Sequence, residues 1–394
     1  MRTLLAPLAR LSRRRTARLA ATLALVGATF AGLAAPASAC TGTCPTTMFA
    51  AVNTGAGIQV GGTYKPLVGN FGGDTKDDIL WYAPGSTPDS LWIGTSTQGT
   101  FSKVPMTISG DYIPLVGNFA GDSYDDILWY SPGTGADALW TSINSPSIFA
   151  SSPLTINGTY TPVVLHNHPL AGAPAGAAVR RGGRSANMTT PTVLDTIVWS
   201  AAAPAADSYW AFSNTGHTAH AISIAGTPQL LPISLDHDNY EDLLAYSPGS
   251  GPDAIYRSNG SGGYVRSTIT VNGAYTPVAV NGQAGGQSIF WFGPGSAADA
   301  LWLNEAGTLA PAATDVVSVS GPVVAGNSLA YLYNASGADQ LYGLGAVHSS
   351  TSPDIGPGAR PFTGDFDGNG ATDVFFYRPG SATDALGYAP TPTP

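Results

Sequence analysis

The sequence predicts an all-β fold, a seven-bladed β-propeller of four-stranded antiparallel blades, on three observations. One frame of short strand-like segments recurs seven times along the chain. Six intervals separate successive copies; five are 40 to 48 residues long and one is 70, and a period in the mid-forties with several β-rich segments per unit is typical of a propeller blade. The chain also begins and ends with parts of a unit, which together would make one complete blade.

The frame is clearest in its first two copies. In residues 63–94, a segment ending in Gly-Asn-Phe is followed by Asp-Ile-Leu-Trp-Tyr, then Pro-Gly, then Asp-Ser-Leu-Trp, and residues 112–140 repeat it almost letter for letter. A marker aspartate or its equivalent begins the last segment of every copy: Asp89, Asp137, Asp207, Asp253, Asp299, Asp339 and Asp384.

The two ends of the chain predict how the ring closes. After Asp384 too few residues remain for the outer part of a unit, whereas residues 48–52 and 57–62 resemble the outer strands of other units. We expect these N-terminal strands to complete the C-terminal blade, which would remove the free sheet edge of an open ring.

The chain divides into a leader, a linker, the propeller and a tail. Residues 1–39 combine an arginine-rich start, an apolar run and Ala37-Ser38-Ala39, so they are expected to be a signal peptide cleaved after Ala39. Residues 40–46 form a linker with both cysteines, and Cys40 is expected either in a disulfide with Cys44 or as a lipid anchor. The propeller spans residues 47–390, and residues 391–394 are a proline-rich tail.

Composition and charge narrow the function. The protein has 49 Gly and 31 Pro, only 10 % charged residues and 43 % hydrophobic residues, which fits a turn-rich globular protein rather than a disordered one. The leader contains six of the 16 basic residues and no acid, so the exported chain would carry ten basic and 25 acidic residues. This charge opposes nucleic-acid binding, and no further apolar run is long enough to span a membrane. We expect a secreted monomer.

Residues 365–373 read D-x-D-x-N-x-x-x-D, with Gly368 and Gly370 between the oxygen donors. Hard oxygen donors at this spacing suit Ca²⁺, as in the first nine positions of an EF-hand loop. Glycine permits the tight turn that such a loop needs. The alternative is an acidic turn between two strands without a metal, because no glutamate stands at the twelfth position and a strand-like segment follows.

The frame Gly-Asp-Phe-Asp-Gly-Asn-Gly-x-x-Asp-Val resembles the FG-GAP/VCBS repeat family, known from integrin α-chain propellers and secreted bacterial proteins. The resemblance covers nearly the whole exported chain, although the last copy matches best. It implies a seven-bladed propeller with Ca²⁺ held in the loop between the first two strands of a blade. The ligands it implies are Asp365, Asp367, Asn369, the carbonyl of Ala371, and Asp373.

Three other copies keep part of this donor set. The copy at 234–242 keeps three carboxylates and is expected to be a weaker metal site; its positions are Ser234, Asp236, Asp238, Tyr240 and Asp242. The copies at 70–78 and 118–126 have Gly72 and Ala120 in place of the central carboxylate, so metal binding there is doubtful. Their remaining donors are Asn70, Asp74, Asp78, Asn118, Asp122 and Asp126.

The tryptophans and the marker aspartates are expected to form the scaffold. All eight Trp fall in pairs eleven residues apart, and large aromatic side chains suit the space between adjacent blades. The marker aspartates follow Pro-Gly or similar turns, where a carboxylate can accept backbone N–H bonds.

The third copy differs from the others because it has an insertion at about 166–194. Arg180, Arg181 and Arg184 lie in the insertion and are candidates for binding an anionic ligand; a tolerated loop without function is the alternative. The same copy contains four of the six histidines. If the protein were an enzyme, a lyase or hydrolase acting on polysaccharide, the catalytic candidates would be His166, His168, Arg181, His217 and His220.

No H-E-x-x-H, G-x-S-x-G or P-loop sequence is present, so the sequence contains no catalytic motif. The leading hypothesis is therefore a secreted, calcium-stabilised propeller that binds an extracellular carbohydrate or protein without chemistry. The polysaccharide-active enzyme is the alternative.

Overall fold

The structure is a computed structural model, which describes residues 49, 51–143, 149–167, 194–202, 205–236, 238, 240–260, 262–281, 286–295, 297–305, 307–312, 323–325, 329–332, 340–343, 346–348, 357–380 and 382–389. The predicted signal peptide, Cys40 and Cys44, most of the predicted third-blade insertion and the predicted tail lie outside these residues. The described part is all-β apart from one short 3-10 turn at Ala56–Ile58.

Backbone pairing arranges 28 strands in seven antiparallel four-stranded sheets. The first blade contains β2 (Lys65–Gly69), β3 (Asp78–Tyr82), β4 (Asp89–Gly94) and β5 (Phe101–Met106). The second contains β6 (Ile113–Gly117), β7 (Asp126–Tyr130), β8 (Asp137–Ser142) and β9 (Phe149–Leu154). The third contains β10 (Tyr160–Leu165), β11 (Thr196–Ala201), β12 (Ser208–Ser213) and β13 (Gly216–Ala221).

The fourth blade contains β14 (Gln229–Ile233), β15 (Asp242–Tyr246), β16 (Asp253–Ser258) and β17 (Tyr264–Ile269). The fifth contains β18 (Thr276–Asn281), β19 (Gln287–Phe292), β20 (Ala300–Glu305) and β21 (Thr308–Ala312). A further sheet contains β22 (Val323–Ala325), β23 (Leu329–Leu332), β24 (Gln340–Gly343) and β25 (Ala346–His348). The closing blade contains β26 (Arg360–Gly364), β27 (Asp373–Tyr377), β28 (Ala385–Tyr388) and, from the N-terminal side, β1 (Ala51–Asn53).

The prediction of a propeller with seven four-stranded blades requires a correction. Six four-stranded blades are described with their side chains: the five formed by β2 to β21, and the closing blade. The strands β22 to β25 form a shorter sheet of three- and four-residue strands, of which the structure describes the backbone alone. In the sequence, Ser328 and Tyr331 stand where the first two blades have an Asp and a Trp. We therefore describe a β-propeller with six complete four-stranded blades, where the sequence predicts seven.

The first strands of successive sheets contact one another around the ring, from β2 through β6, β10, β14, β18 and β22 to β26, and β26 contacts β2. The ends of these strands come very close. A Cβ added at Gly69 would lie 2.8 Å from Val116 of the next blade, and one at Gly364 would lie 2.9 Å from Val68. Glycine at these positions thus permits the tight approach of neighbouring blades.

The closing blade confirms that a strand from the N-terminal side completes the C-terminal sheet. Ala51–Asn53 pairs antiparallel with β28, and Val52 lies opposite Gly387. The second predicted N-terminal strand, at 57–62, is wrong as a strand, because the chain there forms the 3-10 turn and then crosses to the C-terminal side. Val60 donates its N–H to Asp384 at 2.7 Å, and this bond holds the segment without a ladder.

The scaffold roles of tryptophan and of the marker aspartates are confirmed. Trp81, Trp129, Trp199 and Trp291 are almost fully buried. Trp81 contacts Trp92 of its own blade and Tyr377 of the closing blade, with ring centroids 5.4 and 5.0 Å apart. Asp137 is typical of the markers, because its two oxygens accept the backbone N–H groups of Ser131 at 2.8 Å and Ile156 at 2.6 Å.

Each seam between described blades also has a hydrogen-bonded clamp at the rim where the first strands end. The acceptor is the side chain of the residue just before, or at, the start of a blade's second strand. It accepts a backbone N–H from the preceding blade, from the residue just after that blade's first strand, at 2.7 to 2.9 Å. The pairs are Asp77 with Asp365, Asp125 with Asn70, Asp195 with Asn118, Glu241 with His166, and Gln287 with Ser234.

Candidate functional site

An acidic cluster lies in the loop between β26 and β27 of the closing blade. Carboxylate oxygens of Asp365, Asp367 and Asp373 all lie within 4.8 Å of one another, and this is the one such group of three or more acidic, histidine or cysteine side chains in the described part of the chain. Asp365 and Asp373 are buried, and Asp367 is partly exposed. The three predicted carboxylates therefore converge.

Asp373 is fixed by the backbone on both sides. Its Oδ2 accepts the N–H of Phe366 at 2.9 Å, and its Oδ1 accepts the N–H of Ala389, just after β28, at 2.8 Å. Burial raises the pKa of this carboxyl to about 8; the Ala389 hydrogen bond opposes the shift, and the carboxylates of Asp367 and Asp365 add to it. Burial and the neighbouring carboxylates thus disfavour the ionised form of Asp373.

Asp367 and Asn369 form a small hydrogen-bonded unit at the partly exposed side of the cluster. The backbone N–H of Asn369 donates to Asp367 Oδ1 at 3.1 Å, and Asn369 Nδ2 donates to Asp367 Oδ2 at 3.2 Å and to the carbonyl of Ala389 at 3.0 Å. Gln98, from the first blade, donates Nε2 to the same Asp367 Oδ2 at 2.8 Å. The loop is therefore linked both to β28 and to its neighbouring blade.

The turn itself follows the glycine prediction. Gly368 and Gly370 have φ values of 76° and 89°, a region that favours glycine. Gly370 donates its N–H to Asp365 Oδ2 at 3.0 Å, and Ala371 donates its N–H to Asn369 Oδ1 at 2.6 Å. Ala371, the predicted carbonyl donor, is buried within the same turn.

Asp77 of the first blade adds a fourth carboxylate beside Asp365. It is fully buried, and its Oδ1 has no hydrogen-bond partner among the described residues. Burial raises its pKa well above the usual range; its bond from Asp365 opposes this, and the carboxylates of Asp125, Asp365 and Asp78 reinforce it. A buried acceptor without a donor, next to three converging carboxylates, fits a bound cation that has hard oxygen ligands.

Sequence reasoning missed Asp77 and Gln98 as members of this site. A signal for Asp77 exists, because the aligned residues Asp125, Asp195, Glu241 and Gln287 are all side chains that can accept a hydrogen bond. Gln98 lies in a hairpin that carries no repeated feature, so nothing in the sequence singles it out.

The loop at 70–78 is a related turn whose polar side chains are paired within the protein. Asn70 Nδ2 donates to the carbonyl of Asp74 at 2.6 Å, and Asn70 Oδ1 accepts the N–H of Gly73 at 2.7 Å. Asp74 Oδ2 lies 3.8 Å from the ammonium of Lys76. The carboxylate of Asp78 accepts the N–H groups of Gly72 and Gly94 at 2.6 and 2.8 Å.

The loop at 118–126 repeats this arrangement. Asn118 Nδ2 donates to the carbonyl of Asp122, and Asp122 Oδ1 accepts the N–H of Tyr124 at 2.9 Å. Asp126 accepts the N–H groups of Phe119, Ala120 and Ser142. In both loops an asparagine amide donates to a backbone carbonyl of the turn. The closing blade has Asp365 at this position, and a carboxylate has no N–H to donate.

The loop at 234–242 keeps its carboxylates but also has a cation from the protein. Arg257 Nη1 lies 3.7 Å from Asp236 Oδ2, and Arg257 Nη2 also donates to the carbonyl of Gly307. Burial raises the pKa of Asp238 to about 6, and Asp236 contributes in the same direction. Asp242 accepts the N–H groups of Leu235 and Ser258 at 3.1 and 2.9 Å. Ser234 and Tyr240 lie at the two ends of this loop, and Ser234 donates its N–H to Gln287.

The third-blade candidates are distributed over different parts of the sheet. His166 follows β10, where its Nδ1 lies 3.1 Å from the buried Asp195 Oδ2 and its N–H donates to Glu241. His217 and His220 lie on β13, three strands away in the same sheet. They are on opposite faces of β13, since His217 stacks on Trp210 at 3.8 Å and His220 stacks on Tyr209 at 4.9 Å. His168, Arg180, Arg181 and Arg184 lie outside the described residues.

Comparisons with known proteins show weak similarity. No family model and no curated protein matches the chain. Among solved structures, BBS1N in complex with ARL6DN, soaked with lead, has a TM-score of 0.46 at 11 % identity, covering 88 % of this chain and 98 % of that chain. A lectin from Agrocybe aegerita that recognises non-reducing terminal N-acetylglucosamine has a TM-score of 0.38 at 11 % identity, covering 81 % and 76 % of the two chains.

The SapL1 lectin in complex with alpha methyl fucoside has a TM-score of 0.41 at 10 % identity, covering 71 % of this chain and 92 % of that chain. Two of these three structures are thus lectins, but similarities at this level carry no argument about function. The pairing of the chain's own strands defines the class, a β-propeller of four-stranded antiparallel blades. Within the described residues, no helix has the length and hydrophobicity needed to cross a membrane.

Proposed function

We propose that this protein is a secreted, calcium-stabilised β-propeller that binds an extracellular carbohydrate or protein. The observation that carries the calcium part is the convergence of Asp365, Asp367 and Asp373 at the blade where both ends of the chain meet. The resemblance to calcium-binding propeller repeats and the export leader support the remainder.

The donor set favours Ca²⁺ over other cations. The candidate ligands are three carboxylates, the amide oxygen of Asn369 and the carbonyl of Ala371, and all five are oxygens. Calcium takes six to eight oxygen ligands in flexible geometry, whereas zinc and copper sites use histidine or cysteine. When bound, the cation would supply the positive charge that Asp373 and its neighbouring carboxylates lack.

The position of the loop gives a reason for stabilisation. Asp373 and Asn369 both bond to Ala389, directly after β28, and β28 pairs with β1. An ion that orders the loop would thereby order the strand pair that closes the ring. Binding to the folded state alone raises stability by mass action.

The test replaces Asp365 by Asn, the residue that the loops at 70–78 and 118–126 have at the same position. We expect wild type to bind calcium and to melt at a lower temperature in chelator. We expect Asp365→Asn to lose the calcium dependence while remaining folded, because an asparagine amide closes the related loops. Asp74→Asn is the matched control, since its carboxylate lies in a loop closed by Asn70. No bound metal in wild type, with no shift on chelation, would contradict the proposal.

The ligand-binding part draws on the outer strand of the third blade. All six residues of β13 are exposed, and each of its faces presents a histidine stacked on an aromatic ring of β12. Flat aromatic and imidazole surfaces beside a few polar groups are the usual lining of ligand sites. The acidic charge of the exported chain opposes nucleic acid as the ligand.

A glycan array and a binding screen against extracellular proteins test this part. Retention of an intact ligand, weakened by His217→Ala but not by Lys103→Ala, would support the binding module. Lys103 is the control because it covers Trp92 on the outer strand of the first blade, 3.6 Å from the ring centroid. Shortened or unsaturated glycan products would favour the enzyme alternative instead.

A further inference from the structure

We propose that Gln98 of the first blade belongs to the cation site of the closing blade, so that a bound ion fastens the seam where the two ends of the chain meet. The inference rests on the proposed calcium site and adds a ligand from outside the loop at 365–373. Neither the spacing of that loop nor the repeat frame points to this residue.

The hairpin that carries Gln98 is well ordered by its own bonds. It connects β4 and β5; Thr95 N–H donates to the carbonyl of Thr100 at 3.1 Å, and Thr100 N–H donates to the carbonyl of Thr97 at 3.1 Å. Gly99, next to Gln98, has a φ of 76°. This geometry fixes the tip of the hairpin over the neighbouring blade.

The tip contacts three parts of the closing blade at once. Gln98 Nε2 donates to Asp367 Oδ2 at 2.8 Å, and Asn53 of β1 donates Nδ2 to the carbonyl of Gly99 at 3.3 Å. A Cβ added at Gly99 would clash with Asn53 and would lie 3.0 Å from the hydroxyl of Tyr388 on β28. The hairpin thus touches the acidic loop, the N-terminal strand and the C-terminal strand.

The number of ligands leaves room for Gln98. The loop offers five candidate ligand groups, and with one oxygen from each it leaves at least one of the six to eight positions around Ca²⁺ open. A glutamine amide carries both a donor and an acceptor, so rotation about its last torsion replaces the N–H that faces Asp367 with its carbonyl oxygen. Without the ion the amide donates to a carboxylate, and with the ion it becomes an oxygen ligand.

The first blade also brings Asp77 to this seam, where its buried Oδ1 lacks a partner and its Oδ2 accepts the N–H of Asp365. Two side chains of the first blade therefore contact the same loop from separate elements. An ion held by Asp365, Asp367 and Gln98 would join the two blades directly, rather than stiffen one loop alone.

The test measures affinity for Ca²⁺ and for luminescent Tb³⁺ in wild type, Gln98→Ala, Gln98→Glu and the hairpin control Ser96→Ala. We expect about tenfold weaker binding for Gln98→Ala, the size typical of losing a supporting group at a metal site. We expect Gln98→Glu to bind more tightly, because calcium affinity rises with ligand charge. In chelator, the melting temperature of Gln98→Glu should fall below that of wild type, since the new carboxylate would face the carboxylate of Asp367.

Hydrogen exchange supplies a readout of the seam. Calcium should slow exchange in Ala51–Asn53 and Ala385–Tyr388 in wild type, and less so in Gln98→Ala. If wild type binds calcium and all three variants match it in affinity and exchange, the role of Gln98 is refuted while the calcium site stands. If wild type binds no calcium, both the site and this inference are overturned.

Discussion

Asp77 and Asp365 bridge the first and closing blades through two hydrogen bonds, one to the side chain of Asp77 and one between backbone groups. Asp77 Oδ2 accepts the N–H of Asp365 at 2.7 Å, and Asp77 donates its own N–H to the carbonyl of Asp365 at 2.9 Å. Asp125 and Asn70 make the same pair of bonds at the next seam. The closing seam differs in that both of its side chains are carboxylates, and this places the excess negative charge where the chain ends meet.

We expect Asp77→Asn to be tolerated and Asp77→Ala to be destabilising. Burial raises the pKa of Asp77, so asparagine imitates its protonated form and still accepts the Asp365 N–H. Alanine leaves that buried N–H without its partner, at a cost of about 1–3 kcal/mol in the free energy of unfolding.

Urea unfolding at pH 7 in chelator measures both variants of Asp77. Asp125→Asn is the control, because it changes the equivalent acceptor at a seam without the acidic cluster. Equal losses for Asp77→Asn and Asp77→Ala would show that the negative charge of Asp77 itself is needed.

Without calcium, stability should fall as the pH rises from about 4 to about 8. Burial raises the pKa of Asp373, Asp78 and Asp126 from 3.8 to about 8, so the folded state holds protons that the unfolded state has released. The unfolded chain therefore binds fewer protons in this window, and the free energy of unfolding decreases with pH.

Melting temperatures at pH 5 and pH 8, with and without calcium, measure this dependence. Calcium should remove the part of the pH dependence that is due to Asp373. It should leave the part due to Asp78 and Asp126, because an asparagine pairs within each of their loops. A stability that rises steadily from pH 5 to pH 8 in chelator would contradict the prediction.

Tyr130→Phe should weaken the seam between the second and third blades. The hydroxyl of Tyr130 donates to the carbonyl of Gly158 at 2.7 Å and accepts the N–H of Tyr160 at 2.9 Å. Losing the hydroxyl leaves the N–H of Tyr160 without this partner, whereas the carbonyl of Gly158 still accepts the N–H of Gly133 at 2.7 Å, so we expect a loss of about 1–3 kcal/mol in the free energy of unfolding.

The control is Tyr160→Phe in the same seam, whose own hydroxyl makes one exposed bond of 3.4 Å to Asn157. Thermal unfolding should separate the two variants. Equal melting temperatures would mean that water replaces the Tyr130 hydroxyl at no cost.

The sequence predicts the parts of this fold that repeat. The spacing of Asp137 from the turn before it, and of Trp81 from Trp92, recurs often enough to indicate blades, buried aromatics and turn-fixing carboxylates, and the structure confirms all three. Where a copy diverges the prediction weakens. Residues 57–62 have the apolar pattern of a strand, but the side chain of Asp384 accepts the N–H of Val60, and the segment does not join the strand ladder.

The candidate site divides in the same way. The donors at 365–373 follow from their spacing, because alternate positions of one tight turn place their side chains around one centre. The contribution of the first blade does not follow, since Gln98 and Asp367 are 269 positions apart and meet only when the ring closes. The histidines illustrate the opposite case, because residues close in sequence, such as His217 and His220, lie on opposite faces of one strand.

The marker aspartates should be costly to remove, and Asp137→Ala is the cleanest case. Asp137 is buried, and its two oxygens accept the N–H groups of Ser131 and Ile156, which belong to the turn before β8 and the segment after β9. Alanine leaves two backbone donors without this acceptor, so we expect a loss of about 2–6 kcal/mol, the cost of two such groups.

Asp111→Ala is the control, since Asp111 is exposed and its 3.7 Å pairing with Lys65 lies at the surface. Urea unfolding should show a much lower midpoint for Asp137→Ala and almost no change for Asp111→Ala. Because the same two-bond pattern occurs at Asp89 and Asp253, a small effect at Asp137 would mean that the repeated carboxylates are retained for a purpose other than stability, and a ligand-binding role for them would then need testing.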